Sequence, residues 1–411
     1  MTTTSEVLPL TDTIAPGEQA GVAEAMRQAA KVRTAVYPMG GGTSLDYGIA
    51  ARQPGLGLSL ARLNRVIDYP ARDMTITVEA GVMMAALAET LATENQWLPI
   101  EVPQPELATI GGVVATAWCG PRRYGAGKVR DYVIGISAVD GQGMAFKGGG
   151  RVVKNVAGYD FCKLLTGSLS ALGVITQVTF KIIPRPQQSV LLACDVADWA
   201  LAERLLAAMV QTATTPSAIE LIAGPNWLDG STPGTVARLV VGLEGSAAEV
   251  NWMLSTLKSE WQSLGIERPQ TFADQAATEF WKRLRDFSAL DDVSPLVLKA
   301  ALPPSATVDY VKLLQAVDPQ VSIQAHAGSG IVIARFAQFG AGDISHALIG
   351  RLQPAATAAE GHVVVLSSNG LGELTRQAVW GGSTAAGVWM QKVKQQFDPY
   401  GLLSPGRFVY A

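Results

Sequence analysis

The sequence predicts an α+β protein with more than one domain. The chain has 411 residues, beyond the roughly 250–300 at which a single hydrophobic core stops growing, so two or three domains are expected. Glycine-rich loops separate short strand and helix patterns as far as Pro184 and Pro186, which mark the best domain boundary. Beyond that boundary, the order of strands and amphipathic helices is typical of an antiparallel sheet with helices on one side.

The elements before the boundary follow from periodicity and turn residues. Apolar residues recur on one face of Gly17–Val32, which predicts a helix. Two more helices are predicted at Met83–Gln96 and Phe161–Thr166. Glu101–Arg130 has no helical period, and so long an irregular stretch is usually functional. Strand patterns occupy Thr34–Val36, Leu56–Leu60, Leu63–Tyr69, Thr75–Glu79, Trp97–Ile100, Asp131–Val139, Met144–Lys147 and Val174–Ile183.

The second half alternates strands and helices. Strand patterns are Ser189–Cys194, Ile219–Ile222, Ala237–Leu243, Pro295–Ala301, Ser322–Ala327, Ile331–Phe336 and His362–Leu366. Helical patterns are Trp199–Thr212, Ala247–Leu264, Glu279–Phe287, Ile344–Leu352 and a last helix that starts at Ala385 and ends at Phe397.

Composition excludes several classes of protein. A formal charge of −3 gives no reason to expect nucleic-acid binding. The three cysteines lack Cys-x-x-Cys spacing, which argues against a disulfide framework, an iron–sulfur cluster and a structural zinc site. No secretory signal opens the sequence, and no apolar run reaches the roughly 18–20 residues of a membrane span. A soluble protein in a reducing compartment is therefore expected.

The most informative stretch is Tyr37–Leu45, which contains three consecutive glycines followed by Thr43 and Ser44. Without Cβ atoms, the backbone can approach a ligand closely and turn its N–H groups toward an anion. The stretch lacks the lysine of a Walker loop, and it does not open into a helix as a dinucleotide-binding Gly-x-Gly-x-x-Gly does. It indicates a phosphate-binding loop of another kind, with an ordinary glycine-rich turn as the alternative.

A second stretch of the same character is Ala108–Thr116, where a glycine pair is flanked by threonines, followed by Gly120–Gly125. Bare backbone N–H groups and hydroxyls would again be available to a ligand. The alternative is a plain small-residue helix that starts at Thr109.

Five motifs in a fixed order resemble the flavoprotein superfamily of vanillyl-alcohol oxidase, D-lactate dehydrogenase and glycolate oxidase. They span nearly the whole chain, and the block 148–176 is most similar to the smaller FAD-binding subunit of bacterial glycolate oxidases. The motifs are Gly40-Gly-Gly-Thr43, Ala108-Thr-Ile-Gly-Gly112, Lys154-Asn-Val-Ala-Gly-Tyr-Asp160, Gly167-Ser-Leu-Ser-Ala-Leu-Gly-Val-Ile-Thr176 and the terminal Phe397-Asp-Pro…Ser-Pro-Gly-Arg407.

The resemblance implies a PCMH-type (p-cresol methylhydroxylase-type) two-subdomain FAD-binding domain over residues 1–185. It implies an α+β antiparallel-sheet cap domain over 186–380 and a C-terminal segment, 381–411, that returns to the FAD domain. It further implies a larger flavin subunit and an iron–sulfur subunit as partners, a small 2-hydroxy acid as substrate, and a cytoplasmic location, with attachment to the inner membrane only through partners.

By the same resemblance, Met39–Ser44 would hold the FAD pyrophosphate. Ala108–Thr116 and Gly120–Gly125 would line the ribityl chain and the flavin ring, and Gly173–Ile175 would meet the adenine end. The predicted cofactor-binding residues are Pro38, Met39, Gly40, Gly41, Gly42, Thr43, Ser44, Ala108, Thr109, Ile110, Gly111, Gly112, Ala115, Thr116, Gly120, Tyr124, Gly125, Gly173, Val174 and Ile175.

Covalent attachment of flavin through a histidine is excluded before residue 326, because the first histidine of the chain stands there. A link through Cys119 is the alternative to non-covalent FAD, although a buried core cysteine is the plainer interpretation of that residue. His326 matches the first histidine of the superfamily motif His-Ala-Gly-Asp-Gly-Asn-x-His, but Ser329, Ile331 and Ile333 replace its acid, asparagine and second histidine. Too few ligands therefore remain there for a divalent metal.

Three functions are compatible with these residues. The first is a FAD-binding subunit that supports glycolate oxidation within a complex. The second is a self-sufficient FAD-dependent dehydrogenase of a small 2-hydroxy acid, with His326 as catalytic base. The third is a nucleotide-binding scaffold without flavin. His346 and His362 are expected to be structural, and surface exposure is the plainer interpretation of Arg335, Arg376 and Arg407, each of which could otherwise bind a carboxylate.

Overall fold

The protein is described by a computed structural model that covers residues 7–150, 158–290, 294–382 and 385–409. The chain divides into two compact units. The first comprises Met1–Cys119, Lys128–Arg185 and Gly382–Ala411, and the second comprises Gly120–Gly127 and Pro186–Gly381. The Lys154–Ala157 part of the third motif lies outside the described residues.

Both units contain strands and helices. The strands are β1 Leu10–Ile14, β2 Ala35–Met39, β3 Gly55–Ser59, β4 Val66–Asp68, β5 Thr75–Glu79, β6 Gln96–Trp97, β7 Val133–Val139, β8 Ala145–Gly149, β9 Val174–Lys181, β10 Ile183–Pro184, β11 Gln188–Val196, β12 Ala218–Ala223, β13 Ala237–Gly245, β14 Gln270–Phe272, β15 Leu296–Ala301, β16 Ser322–His326, β17 Ile331–Phe336 and β18 His362–Ser368. The helices are α1 Gln19–Val32, α2 Met84–Ala92, α3 Ile110–Thr116, α4 Arg123–Ala126, α5 Val129–Tyr132, α6 Phe161–Leu165, α7 Trp199–Val210, α8 Ala247–Ser263, α9 Asp274–Asp286, α10 Thr307–Val317, α11 Ala341–Asp343, α12 Ile344–Leu352, α13 Gln353–Ala358, α14 Arg376–Trp380 and α15 Ala385–Phe397.

The first unit contains a small parallel sheet and a larger antiparallel one. The parallel sheet has the order β1-β3-β2, and the glycine-rich loop connects β2 to β3. The antiparallel sheet has the order β4-β5-β9-β7-β8. Every residue of β5 is buried, and its Ile76 and Val78 belong to one core with Val22 and Met26 of α1. This core fixes the strand ends from which the loops of the unit project.

The C-terminal segment after α15 runs beside β2. The Val36 N–H donates to the Leu402 carbonyl at 2.8 Å, and the Ser404 N–H donates to the Val36 carbonyl at 2.9 Å. These two bonds form a parallel bridge between Val36 and Leu403. The end of the chain is thereby placed next to the strand that leads into the glycine-rich loop.

The second unit is built on one eight-stranded antiparallel sheet of order β14-β11-β13-β12-β16-β17-β15-β18. The central strand β12 is buried throughout, although it carries Glu220, which has no exposed surface. Helix α8 begins at a capping box, in which the Ser246 hydroxyl and the Glu249 carboxylate satisfy each other's backbone N–H groups. The antiparallel sheet expected for the second half of the chain is confirmed.

The strand and helix predictions agree with the structure to within a few residues, apart from one region. Glu101–Arg130 was expected to be irregular, and that prediction is wrong: it contains α3, α4 and part of α5. These helices are four to seven residues long, too short to show a period in the sequence. The helix start at Thr109, which was the alternative, is confirmed. Strands β1 and β14 and helices α10, α11, α13 and α14 were not predicted.

Candidate functional site

A cleft in the first unit brings together four segments that are distant in sequence. Its empty space, including the part open to solvent, is about 900 Å³. The walls come from the loop after β2, from α3, from the turn before β9 and from the C-terminal segment. The lining residues are Pro38, Met39, Gly40, Gly41, Gly42, Thr43, Ser44, Leu45, Tyr47, Leu60, Thr109, Gly111, Gly112, Ala115, Thr116, Leu169, Ser170, Ala171, Ile175, Ser404, Arg407 and Phe408.

Two glycines of the loop are required by close packing, Gly41 against the backbone of Leu107 and Gly40 against the side chain of Thr109. A Cβ on Gly41 would lie 1.6 Å from the carbonyl oxygen of Leu107, and a Cβ on Gly40 would lie 2.1 Å from the Thr109 hydroxyl oxygen. Neither approach is possible for a residue with a side chain. The loop is therefore held flat against the start of α3, with its backbone as the surface of the cleft.

Thr109 is the buried polar residue at the junction of these two segments. It is 5 % exposed and precedes α3 as its N-cap residue. Its hydroxyl oxygen is buried and has no hydrogen-bond partner among the described residues. A buried hydroxyl without a partner costs free energy, so one that lines a cleft indicates a ligand that would bond to it.

The turn before β9 has a strained backbone. Leu169 and Ser170 both line the cleft and adopt positive φ angles of 49° and 56°. This left-handed conformation costs a residue other than glycine roughly 1–2 kcal/mol. The turn is tied to α3, because the Leu169 N–H donates to the Ala115 carbonyl at 2.8 Å. Strain of this kind collects at ligand sites, where the surrounding structure maintains it.

Arg407 joins the C-terminal segment to the loop after β2. Its Nε donates to the Ile49 carbonyl at 3.2 Å, and its Nη2 donates to the Tyr47 carbonyl at 3.2 Å and to the Leu45 carbonyl. The sequence favoured a surface arginine here. The structure instead places Arg407 in the wall of the cleft, where its charge is bonded to backbone oxygens.

Burial also shifts the acid–base properties of the groups near Arg407. Burial lowers the pKa of Arg407, opposed by the nearby Tyr37 and Asp46. Burial raises the pKa of the Tyr47 phenol to about 12. Burial also raises the pKa of the Asp46 carboxyl, although the positive charge of Arg407 opposes this shift. At neutral pH the Tyr47 hydroxyl therefore keeps its proton.

The structure brings most of the predicted cofactor-binding residues together. All of Pro38–Ser44 line the cleft, as do Thr109, Gly111, Gly112, Ala115, Thr116 and Ile175. Ala108, Ile110, Gly173 and Val174 do not, and Gly120, Tyr124 and Gly125 belong to the second unit. There, the Gly125 N–H donates to the Ser217 carbonyl at 3.1 Å. Nine other lining residues were not in the predicted set, because their place in the cleft depends on tertiary contacts: Leu45, Tyr47, Leu60, Leu169, Ser170, Ala171, Ser404, Arg407 and Phe408.

His326 lies in the second unit, at the end of β16, opposite Glu220 on β12. Its Nδ1 lies 2.8 Å from both carboxylate oxygens of Glu220, and the Gln324 amide donates to Glu220 Oε2 at 2.9 Å. His326 is 2 % exposed. Its Nε2 is buried and has no hydrogen-bond partner among the described residues. The carboxylate therefore holds the ring in one orientation and leaves its second nitrogen available.

The remaining candidates have simpler surroundings. Ile331 and Ile333 are buried in β17, and no group of three His, Cys, Asp or Glu side chains in the described ranges is placed to hold a metal ion. His362 is exposed at the start of β18, where partial desolvation and the nearby Lys299 lower its pKa. The Cys119 sulfur accepts the Val129 N–H at 3.4 Å and is not among the residues that line the cleft.

Comparisons with known families identify two parts of the chain. A family described as "FAD binding domain" matches residues 12–149. A family described as "FAD linked oxidases, C-terminal domain" matches residues 185–362. Together the two matches cover most of both units.

Several curated proteins are similar over most of their length. The glycolate oxidase subunit GlcE of Escherichia coli (strain K12) is 29 % identical over 84 % of this chain and 85 % of that protein. The D-lactate dehydrogenase of Archaeoglobus fulgidus is 24 % identical over 96 % of this chain and 90 % of that protein. The glycolate oxidase subunit GlcD of Bacillus subtilis (strain 168) is 25 % identical over 77 % of this chain and 71 % of that protein.

Solved structures confirm the predicted fold class. p-Cresol methylhydroxylase superposes with a TM-score of 0.73 over 96 % of this chain and 88 % of that one, at 14 % identity. Alkyldihydroxyacetonephosphate synthase superposes with a TM-score of 0.67 over 96 % of this chain and 76 % of that one, at 15 % sequence identity. The fold is a PCMH-type FAD-binding fold with a C-terminal antiparallel-sheet domain. Within the described part of the chain, no helix is long and apolar enough to cross a bilayer.

Proposed function

The chain belongs to the FAD-linked oxidases and is an FAD-dependent oxidoreductase, and on that premise we propose that it is the FAD-binding subunit of a complex that oxidises glycolate or a similar 2-hydroxy acid. Support comes from the glycolate oxidase subunit GlcE, with which the alignment covers more than four-fifths of both chains. The D-lactate dehydrogenases among the relatives share the same substrate class by name.

The observation that carries this proposal is the cleft of the first unit, because its residues fit the group. Pyrophosphate needs bare backbone, which Gly40 and Gly41 provide, and a hydroxyl donor, which Thr109 has available. We assign Met39–Ser44 to the pyrophosphate and Ile175 to the adenine end. Bound FAD supplies the acceptor for the hydride of the substrate.

We further propose that FAD is held without a covalent bond. The chain has no histidine before His326, and the Cys119 sulfur is engaged by the Val129 N–H outside the cleft lining. The assignment of Gly120, Tyr124 and Gly125 to the flavin ring remains part of this proposal, on the strength of the sequence motif alone. The same is true of the domain limits 1–185, 186–380 and 381–411.

The proposed partners are a larger flavin subunit and an iron–sulfur subunit. Two differently named glycolate oxidase subunits of Escherichia coli (strain K12), GlcE and GlcD, both match this chain, which supports related chains in one assembly. A cytoplasmic location, at the inner membrane only through those partners, belongs to the same proposal. The scaffold without flavin is not retained, because the chain belongs to a family defined by FAD.

One observation favours the second function, a chain that turns over substrate by itself. Glu220 fixes the His326 ring and leaves Nε2 without a hydrogen-bond partner among the described residues. An imidazole held in this way could accept the proton of a substrate hydroxyl at Nε2, with the carboxylate at Nδ1 stabilising the resulting cation.

An anaerobic visible spectrum with glycolate separates the two functions. For a supporting subunit, we expect the flavin of the isolated chain to stay oxidised and to bleach once the partner subunits are added. Bleaching of the isolated chain would overturn the supporting role. If that bleaching also stops in His326→Gln with FAD still bound, the self-sufficient dehydrogenase is favoured. Acetate, which has no hydroxyl to oxidise, is the control ligand.

Thr109→Val should have opposite effects on the FAD-free and FAD-bound protein. The unfolding free energy of the FAD-free chain should stay the same or rise by up to about 1 kcal/mol, because a buried hydroxyl without a partner is removed. The dissociation constant of FAD should rise about fivefold, since one hydrogen bond is worth about 1 kcal/mol. Titration of the FAD-free protein, followed by flavin fluorescence, measures this change.

The control for this experiment is Thr90→Val. The Thr90 hydroxyl bonds only to the Ala86 carbonyl on the exposed side of α2, so FAD affinity should not change. An unchanged FAD dissociation constant in Thr109→Val would remove Thr109 from the proposed phosphate site.

A further inference from the structure

Lys394 is a nearly buried lysine that the proposed reaction does not use. It lies on α15, and its side chain is 13 % exposed. Its ammonium donates to the Ala171 carbonyl at 2.8 Å, to the Leu403 carbonyl at 3.0 Å and to Asp398 Oδ2 at 2.5 Å. All three donors of the ammonium are thus bonded within the protein.

Its partner Asp398 is fully buried and organises the chain that follows α15. Its Oδ1 accepts the Leu402 N–H at 3.0 Å, and its Oδ2 accepts the Leu403 N–H at 2.8 Å. A buried carboxylate and ammonium are stable only when such additional bonds are made. The pair therefore fixes the path of residues 398–403, which lead directly to Ser404 and Arg407 in the wall of the cleft.

The bond to Ala171 reaches a different wall of the cleft. Ala171 follows Leu169 and Ser170, the two residues with positive φ angles, and all three line the cleft. A strained turn keeps its conformation only if neighbouring contacts hold it. Lys394 is thus the group that connects the strained turn to the C-terminal segment, at a distance of 223 positions in sequence.

We propose that Lys394, through its bonds to Ala171 and Asp398, is a positioning residue that preorganises two walls of the FAD-binding cleft. The proposal rests on the assignment of FAD to this cleft. A ligand binds more tightly to a site that is already in its bound conformation, because less ordering is required on binding. Loss of the Lys394 bonds should consequently appear as weaker FAD binding and not only as a less stable fold.

The test is the FAD dissociation constant of Lys394→Met, which keeps an unbranched side chain one atom shorter than lysine and removes its donors. We expect an increase of about tenfold or more relative to the parent chain. Lys392→Met is the matched control, since Lys392 lies two positions away on α15, with its ammonium 4.7 Å from the centre of the exposed Trp389 ring. Its dissociation constant should stay within about twofold of the parent value.

A second substitution distinguishes positioning from stability alone. Ser170→Gly permits the positive φ angle without strain, so the double variant Lys394→Met, Ser170→Gly should recover part of the lost FAD affinity. The single Ser170→Gly variant provides the reference. If Lys394→Met does not fold, Asp398→Asn is a milder variant, because it keeps the shape of the side chain. Its affinity for FAD should also be lower than that of the parent chain.

The outcomes separate this inference from the proposed function. A parent chain that binds FAD, together with Lys394→Met that binds it equally well but melts at a lower temperature, would overturn the inference and leave the proposed function intact. Failure of Ser170→Gly to restore any affinity to Lys394→Met would also contradict it. A folded parent chain that takes up no FAD at all would overturn the proposed function itself.

Discussion

Gly41→Ala is expected to abolish FAD binding, with an affinity loss of at least about 100-fold, or about 2.7 kcal/mol. The added Cβ would lie 1.6 Å from the carbonyl oxygen of Leu107 and 2.6 Å from its carbonyl carbon. Both atoms belong to the backbone, so no side-chain rotation relieves the overlap. The loop must instead move away from α3 by more than an atomic radius.

The position of Leu107 cannot adjust easily, which makes the effect large. The N–H groups of Leu107 and Ala108 both donate to the Gln104 carbonyl, at 2.9 and 2.8 Å. A loop displaced from this turn would take the backbone N–H groups of residues 40–44 away from the phosphate position. Sites of this kind lose affinity steeply with small displacements, because several hydrogen bonds depend on one geometry.

The flavin absorbance of the purified protein, relative to its absorbance at 280 nm, measures the retained FAD. Gly342→Ala is the control, since a Cβ there would meet no atom within 4 Å. That variant should retain as much FAD as the parent chain. Stoichiometric FAD in Gly41→Ala would contradict the assignment of this loop to the pyrophosphate.

The glycine-rich loop could be predicted from the sequence, because the exposure of its backbone depends only on the residues of the loop itself. Three glycines followed by Thr43 and Ser44 expose backbone whatever the rest of the chain does. The order of the motifs then indicated the fold, and the strand limits followed from β-branched runs such as Thr75–Glu79, which is β5 to the residue.

The rest of the site depends on contacts between residues far apart in the sequence. Arg407 bonds to the Ile49 carbonyl across 358 positions, and a lone arginine near a C-terminus does not indicate such a partner. The strained turn at Leu169 and Ser170 carries neither glycine nor asparagine at those positions, so its positive φ angles had no mark in the sequence. Such features are decided by tertiary packing, which overrides local preference.

The buried pair of Glu220 and His326 shows the same limit. His326 was recognisable from a motif, whereas Glu220 lies 106 positions earlier in an apolar strand pattern. An acidic residue within such a pattern ordinarily marks the exposed face of a strand. Here it is fully buried because the imidazole and the Gln324 amide bond to its two oxygens.

Removal of His326 alone should destabilise the second unit by about 3–5 kcal/mol, because an uncompensated carboxylate would remain buried. His326→Leu is the variant to unfold in denaturant, followed by tryptophan fluorescence. The double variant Glu220→Leu, His326→Leu should recover much of this loss, since hydrophobic residues of similar volume can replace a buried pair with little net cost. His346→Leu, at an exposed position of α12, is the control and should change stability by less than about 0.5 kcal/mol.

The double variant also separates the structural role of the pair from a chemical one. If it folds, binds FAD and still supports glycolate oxidation with the partner subunits, the pair serves the fold of the second unit, as expected for a supporting subunit. If it folds and binds FAD but no longer bleaches with glycolate under conditions in which the parent does, His326 takes part in proton transfer. Equal stability of His326→Leu and the parent chain would contradict a stabilising role of the hydrogen bond between His326 and Glu220, because a buried polar group that loses a partner costs free energy.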